Sequence, residues 1–185
     1  MRIASLITTA SVLATFCVAQ QGRTPNIPPP LKITIPGFSD GGAIPATYGC
    51  VSGKNPNLSP AIKWSGAPEG TQSMALILHD TDLQLGAEDV LHWAIFNIPA
   101  NAEGLAQGVA TRPTLDDGSV QLKNIGGGSG YFNPCPPPPT VHHYIFEFFA
   151  LDVKLDATIA SRAELLKAMA AHVRAKGTYT GTYHQ

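Results

Sequence analysis

Short runs of apolar and β-branched residues, separated by turn-forming clusters, recur along most of the chain. Clusters such as "FSDGGAIP", "SGAPEGT" and "IGGGSG" stand between these runs. Runs of this length bounded by Gly, Pro, Asn, Asp and Ser are typical of strands in antiparallel sheets. The pattern therefore predicts a mainly β protein with a sandwich or barrel-like architecture. The predicted strands are 31–35, 61–64, 74–79, 91–98 and 142–151.

Two of the predicted strands, 91–98 and 142–151, are apolar on both faces. A half-exposed strand would alternate apolar and polar residues, whereas a strand covered on both sides has no need to do so. We therefore expect these two strands to lie centrally in a sheet.

One helix has clear start and stop signals near the C-terminus. Ser161 and Glu164 have the spacing of a capping box. The apolar residues that follow at helical spacing are Leu165, Leu166, Met169 and Val173. Gly177 stands where a glycine often ends a helix. After it, "GTYTGTY" predicts a short strand with Tyr179 and Tyr183 on one face.

Length and charge limit the class of protein. The chain has 185 residues and a formal net charge of −1, with its charged residues scattered. This length suits one domain with its own core. Because there is no basic patch and no acidic block, nothing indicates binding to nucleic acid or a disordered charged tail.

The first 19 residues have the features of a signal peptide. Arg2 supplies the positive start, 3–18 the apolar segment, and cleavage is expected after Ala19. The bulky Phe16 before Cys17 argues against lipoprotein processing. The alternative is a buried N-terminal helix or strand. No other stretch has the ~20 apolar residues of a transmembrane segment, so we expect an exported protein, either periplasmic or secreted.

The rest of the chain divides into a linker and one domain. Residues 20–30 form a Pro-rich linker, and 31–185 the mainly β domain with its C-terminal helix. Two cysteines, Cys50 and Cys135, remain after cleavage. Pairing is expected in an oxidising compartment, and the bond would contribute about 4 kcal/mol by closing a long loop. Two buried free thiols are the alternative.

Chemically suggestive side chains fall at the ends of three predicted strands. His79, Asp80 and Asp82 follow one strand, His92 begins the next, and His142 and His143 begin the third, after the rigid run "NPCPPPP". Alternation puts His142 and Tyr144 on one face and His143 on the other. If the strands are neighbours, one rim would gather Asp80, His92, His142 and Tyr144.

Three blocks in order resemble one known family. They are "NLSPAIKWSGAPEGTQSMALILHDTD", "LHWAIFNIPA" and "GYFNPCPPPPTVHHYIFEFFALD". Together they are similar to the phosphatidylethanolamine-binding protein family, in its bacterial, Raf-kinase-inhibitor-like branch, over about 38–151. The resemblance implies an antiparallel β-sandwich with a Greek-key central sheet, a smaller second sheet and a C-terminal α-helix.

The resemblance also implies a small anion pocket that accepts phosphate, phosphorylethanolamine or acetate-like groups. The residues that it assigns to this pocket are Asp80, Asp82, His92, Gly130, Pro134, Pro136, His142 and Tyr144. Asp80 would orient a histidine, the prolines would stiffen the wall, and glycines of "IGGGSG" would present backbone N–H groups. No metal and no other cofactor is implied.

The chain departs from the family's usual motifs at four places. Thr81 replaces a proline of the acidic turn, and 83–84 differ after it. Asn133 stands for a glycine, and His143 for a frequent arginine. Because Asn tolerates left-handed φ better than most residues, we expect the loop shape to survive.

Three functions fit these observations. The first is a binding protein for a small anionic or phosphorylated ligand, which a protein partner could carry. The second is a metal-dependent hydrolase built from His79, Asp80, His92 and His142, residue types that suit zinc or iron. The third is an inhibitor of a protease or kinase acting through the loop 104–130. Since the resemblance implies no catalysis, we predict a binding protein rather than an enzyme.

Overall fold

The computed structural model describes residues 29–51 and 56–185 of the chain. The predicted signal peptide and most of the linker lie outside these residues. In chain order the elements are β1 (Lys32–Thr34), β2 (Gly42–Ala43), a 3-10 helix (Ala46–Tyr48), β3 (Ile62–Ser65), β4 (Ser73–Leu85), β5 (Glu88–Pro99), β6 (Gly104–Leu105), β7 (Val120–Gln121), β8 (His142–Leu151), α1 (Arg162–Met169) and β9 (Val173–Tyr183).

The strands form two sheets, as expected for a β-sandwich. The larger sheet has the order β2-β9-β8-β4-β5-β7, and the smaller one the order β1-β3-β6. After β4, β5 and β7, the chain returns to place β8 on the free side of β4, antiparallel to it. This order is that of a Greek key. The predicted fold class is confirmed, including the central position of 91–98 and 142–151.

The larger sheet is covered by apolar side chains on both faces. Between the two sheets the buried residues include Trp64, Leu76, Leu78, Trp93, Phe146 and Phe148. On the other face, beneath α1, they include Ala75, Ile77, Phe96, Phe149, Leu165 and Met169. Full burial of each large apolar side chain contributes about 1.5–3 kcal/mol. Central strands buried on both sides give a rigid frame for side chains at their ends.

The predicted helix is shorter than its apolar stripe indicated. The Ser161 cap is present, since Glu164 N donates to Ser161 Oγ at 3.2 Å. However, α1 ends at Met169, and Val173 begins the long strand β9. Gly177 is inside this strand and does not end the helix. A Cβ there would lie 2.7 Å from the Leu31 carbonyl oxygen, so the glycine permits close approach of the chain before β1.

The hairpin of β4 and β5 is also longer than predicted. Strand β4 continues past His79 to Leu85, so Asp80 and Asp82 lie on a strand and not in a turn. The turn follows at Gly86, whose φ is +76°. Because β5 begins at Glu88, His92 is inside its strand. A shift in the pairing register between Asp80 and Gln84 marks an irregularity at this end of the hairpin.

The last residues of the predicted linker are part of the fold. Lys176 N donates to the Pro29 carbonyl at 3.2 Å, and Leu31 N donates to the Lys176 carbonyl at 2.9 Å. The linker therefore meets β9 before β1 begins. Among the residues that the structure describes, no helix has the length and apolar character needed to cross a membrane.

Candidate functional site

A small cavity opens where β8 begins, beside β4 and β5. Its volume is about 120 Å³. Its lining residues are Asp80, Leu83, Val90, His92, Ile125, Phe132, Cys135, Pro136, Pro137, His142 and Tyr144. Five of the eight predicted pocket residues are among them: Asp80, His92, Pro136, His142 and Tyr144. The predicted meeting of the three strand ends is thus present in the structure.

The most buried polar contact at the cavity joins two strands. His142 Nδ1 lies 2.7 Å from Asp80 Oδ2, and both side chains are buried. Asp80 is opposite Tyr144 in the pairing of β4 with β8, so His142, two residues earlier, shares its face. An ionised carboxylate only accepts, hence Nδ1 carries the proton. The ring's Nε2 has no hydrogen-bond partner among the described residues and is left for a ligand.

His92 is oriented in the same way by a different acceptor. Its Nδ1 donates to the Phe132 carbonyl oxygen at 2.9 Å. Burial lowers the pKa of His92, and the bond to Phe132 opposes this only in part. The neutral ring is therefore favoured, with its lone pair on Nε2. That atom, too, has no hydrogen-bond partner within the described part of the chain.

Tyr144 stands beside both histidine rings. Its ring is edge-on to His92 at 5.1 Å between centroids, and stacked with His142 at 6.5 Å. Burial raises the pKa of Tyr144, and the charge of Asp80 and a hydrogen bond with it raise it further. The phenol therefore keeps its proton at neutral pH and can act as a donor.

A disulfide fastens the proline wall of the cavity. Cys50 and Cys135 are bonded, with their Cα atoms 5.2 Å apart, and the predicted pairing is confirmed. Cys50 N also donates to the Pro134 carbonyl at 2.8 Å. On the other side, Gln185 Nε2 donates to the Pro136 carbonyl at 2.7 Å. Several independent links thus hold the 134–136 segment against the end of β8.

Three predicted pocket residues do not line the cavity. Asp82 accepts instead from Nδ1 of the exposed His143 at 2.9 Å, on the opposite face of β8 from His142. Gly130, with φ +98°, has its carbonyl bonded to the Asn124 amide at 2.9 Å. The Pro134 carbonyl is used by Cys50. These residues shape or brace the surroundings of the cavity without forming its surface.

Asn133 keeps the loop in place by a means other than the expected backbone conformation. The left-handed backbone is at Asn57, with φ 48°, and not at Asn133. The two residues exchange side-chain to backbone bonds: Asn57 N donates to Asn133 Oδ1 at 3.2 Å, and Asn133 N to Asn57 Oδ1 at 3.3 Å. The amide of Asn133 therefore joins two loops, a role that a glycine could not fill.

The apolar part of the cavity was not predicted from the sequence. Leu83 and Ile125 are about two-fifths exposed, at 41% and 43%, although both line the cavity. The sequence did contain a signal for them. Each is a large apolar residue in a segment expected to be exposed, Leu83 in a polar hairpin and Ile125 in a glycine-rich loop. Among the described residues no Lys or Arg lines the cavity, and the charged and titratable groups there are one carboxylate, two imidazoles and a phenol.

The structure separates the four residues of the metal-dependent alternative. His79 lies on the other face of the sheet, where its Nδ1 is 2.5 Å from Asp89 Oδ2 and its Nε2 is 3.5 Å from Glu147 Oε2. It does not line the cavity with Asp80, His92 and His142. Within 29–51 and 56–185, no group of three or more His, Cys, Asp or Glu side chains has an arrangement that could hold a metal ion.

Comparison with known proteins matches the resemblance. The family model described as phosphatidylethanolamine-binding protein matches residues 34–184. A UPF0098 protein of Methanothermobacter thermautotrophicus is 41% identical over 149 residues, covering 80% of this chain and 95% of that one. LppC of Mycobacterium tuberculosis, named as a lipoprotein, is 34% identical over 158 residues, or 82% and 73% of the two chains.

A solved structure supports the fold. YbcL of Escherichia coli, described as a new member of the mammalian PEBP family, aligns with a TM-score of 0.73 and 30% identity. The alignment covers 84% of this chain and 98% of YbcL.

Proposed function

Because the chain belongs to the phosphatidylethanolamine-binding protein family, we propose that it binds a small anionic group, of phosphate or phosphorylethanolamine type, in the cavity at the start of β8. One observation carries the proposal. Two histidine rings lie at the same cavity, each fixed by its Nδ1 and each with Nε2 left for a ligand. The two rings are therefore oriented before an anion arrives, which reduces the entropy lost on binding.

The Asp80–His142 pair supplies the strongest contact in this proposal. An anion at Nε2 would place the ring between two negative groups, each of which can accept a hydrogen bond from one ring nitrogen. Hydrogen bonds between charged partners contribute about 1.5–3 kcal/mol each. The neutral phenol of Tyr144 adds a donor that does not repel the anion.

The size of the cavity limits the ligand. Its volume of about 120 Å³ exceeds the ~30 Å³ that one water molecule occupies. It is far below the ~300–1,000 Å³ of pockets that hold drug-sized molecules. A phosphate or headgroup-sized part of a ligand therefore suits the cavity, and the remainder of a larger ligand would stay outside.

We propose binding without catalysis and without a cofactor. The Cys135 sulfur at the cavity is held in the disulfide, so it is not a thiolate nucleophile. Within 29–51 and 56–185, no Ser, Thr or Lys lines the cavity. The raised pKa of Tyr144 keeps its hydroxyl protonated, which disfavours a phenolate nucleophile at neutral pH.

Export and a macromolecular partner are part of the same proposal. The disulfide suits an oxidising compartment, and the relative LppC carries a lipoprotein name. The exposed apolar side chains of Leu83 and Ile125 at the cavity favour an anion attached to a larger molecule, whose apolar part they could contact. The protein would then act on its partner by binding it, as an inhibitor or modulator.

NMR titration of the mature protein tests the anion site. Phosphate and O-phosphorylethanolamine are added separately, and backbone and imidazole resonances are followed before and after treatment with EDTA. Saturable shifts at His92, His142 and the 132–137 segment, unaffected by EDTA, are expected. Absence of shifts, or shifts that disappear with the chelator, would overturn the proposal and favour a metal site.

A further inference from the structure

The two histidines of the cavity are held by chemically different acceptors. His142 Nδ1 faces the carboxylate of Asp80 at 2.7 Å. His92 Nδ1 faces the neutral carbonyl of Phe132 at 2.9 Å. A carboxylate stabilises a doubly protonated ring far more than a carbonyl does. The two Nε2 atoms therefore differ. When an anion binds, Nε2 of His142 becomes a charged donor, whereas His92 has no carboxylate at Nδ1 to stabilise a second proton on its ring.

The surroundings of His92 keep its ring neutral. Its side chain is buried, and burial lowers the pKa of His92. The titratable groups that line the cavity with it are Asp80, His142 and Tyr144, and His79 acts on it from the other face of the sheet. The carboxylate of Asp80 is already bonded to His142. A neutral ring with its proton on Nδ1 presents a lone pair at Nε2, which is an acceptor. A ligand oxygen that carries no proton would therefore bring its own lone pair against the lone pair of His92 Nε2.

We propose that this site selects oxyanions that carry a proton, such as hydrogen phosphate and singly protonated phosphomonoesters, over sulfate and phosphodiesters. The inference rests on the proposed anion site and names its ligand class. One oxygen of the ligand accepts from His142 Nε2, and the hydroxyl on the same phosphorus donates to His92 Nε2. Sulfate at neutral pH has no such hydroxyl, and neither does a diester of the kind found in a phospholipid headgroup.

Phosphate and sulfate make a matched pair for the test, because at pH 7.5 both are mainly dianions of similar size. Leaving a buried acceptor unsatisfied costs enough to change an affinity by about 10- to 100-fold. Calorimetric titration is therefore expected to show phosphate bound at least tenfold more tightly than sulfate. Methyl phosphate and dimethyl phosphate, compared at pH 6.0, separate a monoester ligand from a diester. About half of the monoester is then singly protonated, and the monoester should be preferred.

His92→Asn isolates the acceptor. The shorter amide can replace Nδ1 as the donor to the Phe132 carbonyl, but it leaves nothing at the position of Nε2. The preference for phosphate over sulfate should fall to within about threefold of equality. His172→Asn is the matched control, because His172 is paired with Asp152 away from the cavity. The ratio of phosphate to sulfate affinity in this variant should equal that of the wild type.

The phosphate and sulfate titrations distinguish three outcomes. Equal affinities for phosphate and sulfate in the wild type at pH 7.5 would overturn this inference and leave the anion site intact. A preference that persists in His92→Asn would also overturn it. If neither anion binds, the proposed function itself fails.

Discussion

His142 donates from Nδ1 to Asp80 Oδ2 at 2.7 Å, which ties the first residue of β8 to the interior of β4. The relationship follows from the register of the two strands. Asp80 is opposite Tyr144, and a residue two positions away in β8 shares its face. One buried carboxylate therefore sets the tautomer of a histidine whose other nitrogen serves the cavity.

The first prediction concerns Asp80. In Asp80→Asn the side chain keeps its size but loses the negative charge that supports a charged His142. Loss of a hydrogen bond between charged groups costs about 1.5–3 kcal/mol, which corresponds to about a 10- to 100-fold loss of affinity. We expect phosphate affinity, measured by calorimetry at pH 7, to fall within about that range.

Asp82→Asn is the control for Asp80. Its carboxylate holds the exposed His143 on the other face of β8 and does not line the cavity. We expect its phosphate affinity to stay within about twofold of the wild type. Equal losses in the two variants would show that both aspartates act at the site and would contradict the assignment made from the cavity.

The second prediction compares the two adjacent histidines. His142→Ala removes the proposed charged donor, whereas His143→Ala removes a side chain that is about half exposed. Since a hydrogen bond to a charged group contributes about 1.5–3 kcal/mol, His142→Ala should lower phosphate affinity at least tenfold. His143→Ala should leave it unchanged. Circular dichroism should show that both variants keep the fold, and an unchanged affinity in His142→Ala would remove this residue from the site.

Much of the frame of this site could be predicted from the sequence. The apolar runs of 74–79, 91–98 and 142–151 are long enough to identify central strands, because burial on both faces leaves no polar alternation. Within 142–151, the period of two was sufficient to place His142 and Tyr144 on one face and His143 on the other. Both assignments depend only on local backbone geometry, which the sequence determines closely.

Errors arose where a strand was longer than its apolar part. Because β4 was expected to end at His79, that residue was grouped with Asp80 as one end of the strand. In the structure β4 continues to Leu85, so that the two residues point to opposite faces. Likewise, polar and apolar residues alternate from Val173 to Tyr183, as in a strand. Because Val173 also continues the helical spacing of the apolar residues before it, the sequence pattern did not show where β9 begins.

The cavity wall was less predictable still. Leu83 comes from the extended hairpin and Ile125 from a loop more than 40 residues later, and only the tertiary fold brings them together. Local patterns carry no information about such contacts between distant segments.

The third prediction concerns the disulfide. The bond between Cys50 and Cys135 spans a sequence separation of 85 residues. Intact mass of the mature protein should therefore be lower by two hydrogen atoms than that of the reduced protein. In Cys50→Ser combined with Cys135→Ser, the free energy of unfolding in urea should fall by about 2–4 kcal/mol. Phosphate affinity should also fall, because the proline wall would then be less ordered before binding.

A reducing agent provides the control for this experiment. It should lower the stability of the wild-type protein toward that of the double variant and should not affect the double variant. Identical masses with and without reduction would show free thiols and contradict the pairing.

The last prediction concerns a cluster of charged side chains on the opposite face of the sheet. Glu147 Oε1 lies 2.6 Å from Lys176 Nζ, and Oε2 lies 3.5 Å from His79 Nε2. The contact with His79 and then that with Lys176 lower the pKa of Glu147 to about 2, although burial opposes the shift. Burial also lowers the pKa of His79, but Glu147 and Asp89 outweigh it and raise that pKa overall.

These shifts determine how stability depends on pH. The ionised form of Glu147 stabilises the folded state fully above pH 4.5, the ordinary value, and this contribution is lost as the pH falls toward about 2. It is on the order of 2–3 kcal/mol. The contribution of His79 has the opposite sign: it is fully present below pH 6.5 and is lost as the pH rises through its raised pKa. Both contributions are present between pH 4.5 and 6.5.

Glu147→Gln should therefore lower the free energy of unfolding most strongly between pH 4.5 and 6.5. It should also flatten the decline of stability between pH 4.5 and 2.5, because the variant has no carboxylate to titrate at this position. Urea unfolding at pH 2.5, 4.5, 6.0 and 7.5 measures both effects. Glu69→Gln, at an exposed turn position, is the control and should follow the wild-type curve. If the curve of Glu147→Gln runs parallel to that of the wild type, the ion pairs of Glu147 do not govern the acid stability of this fold.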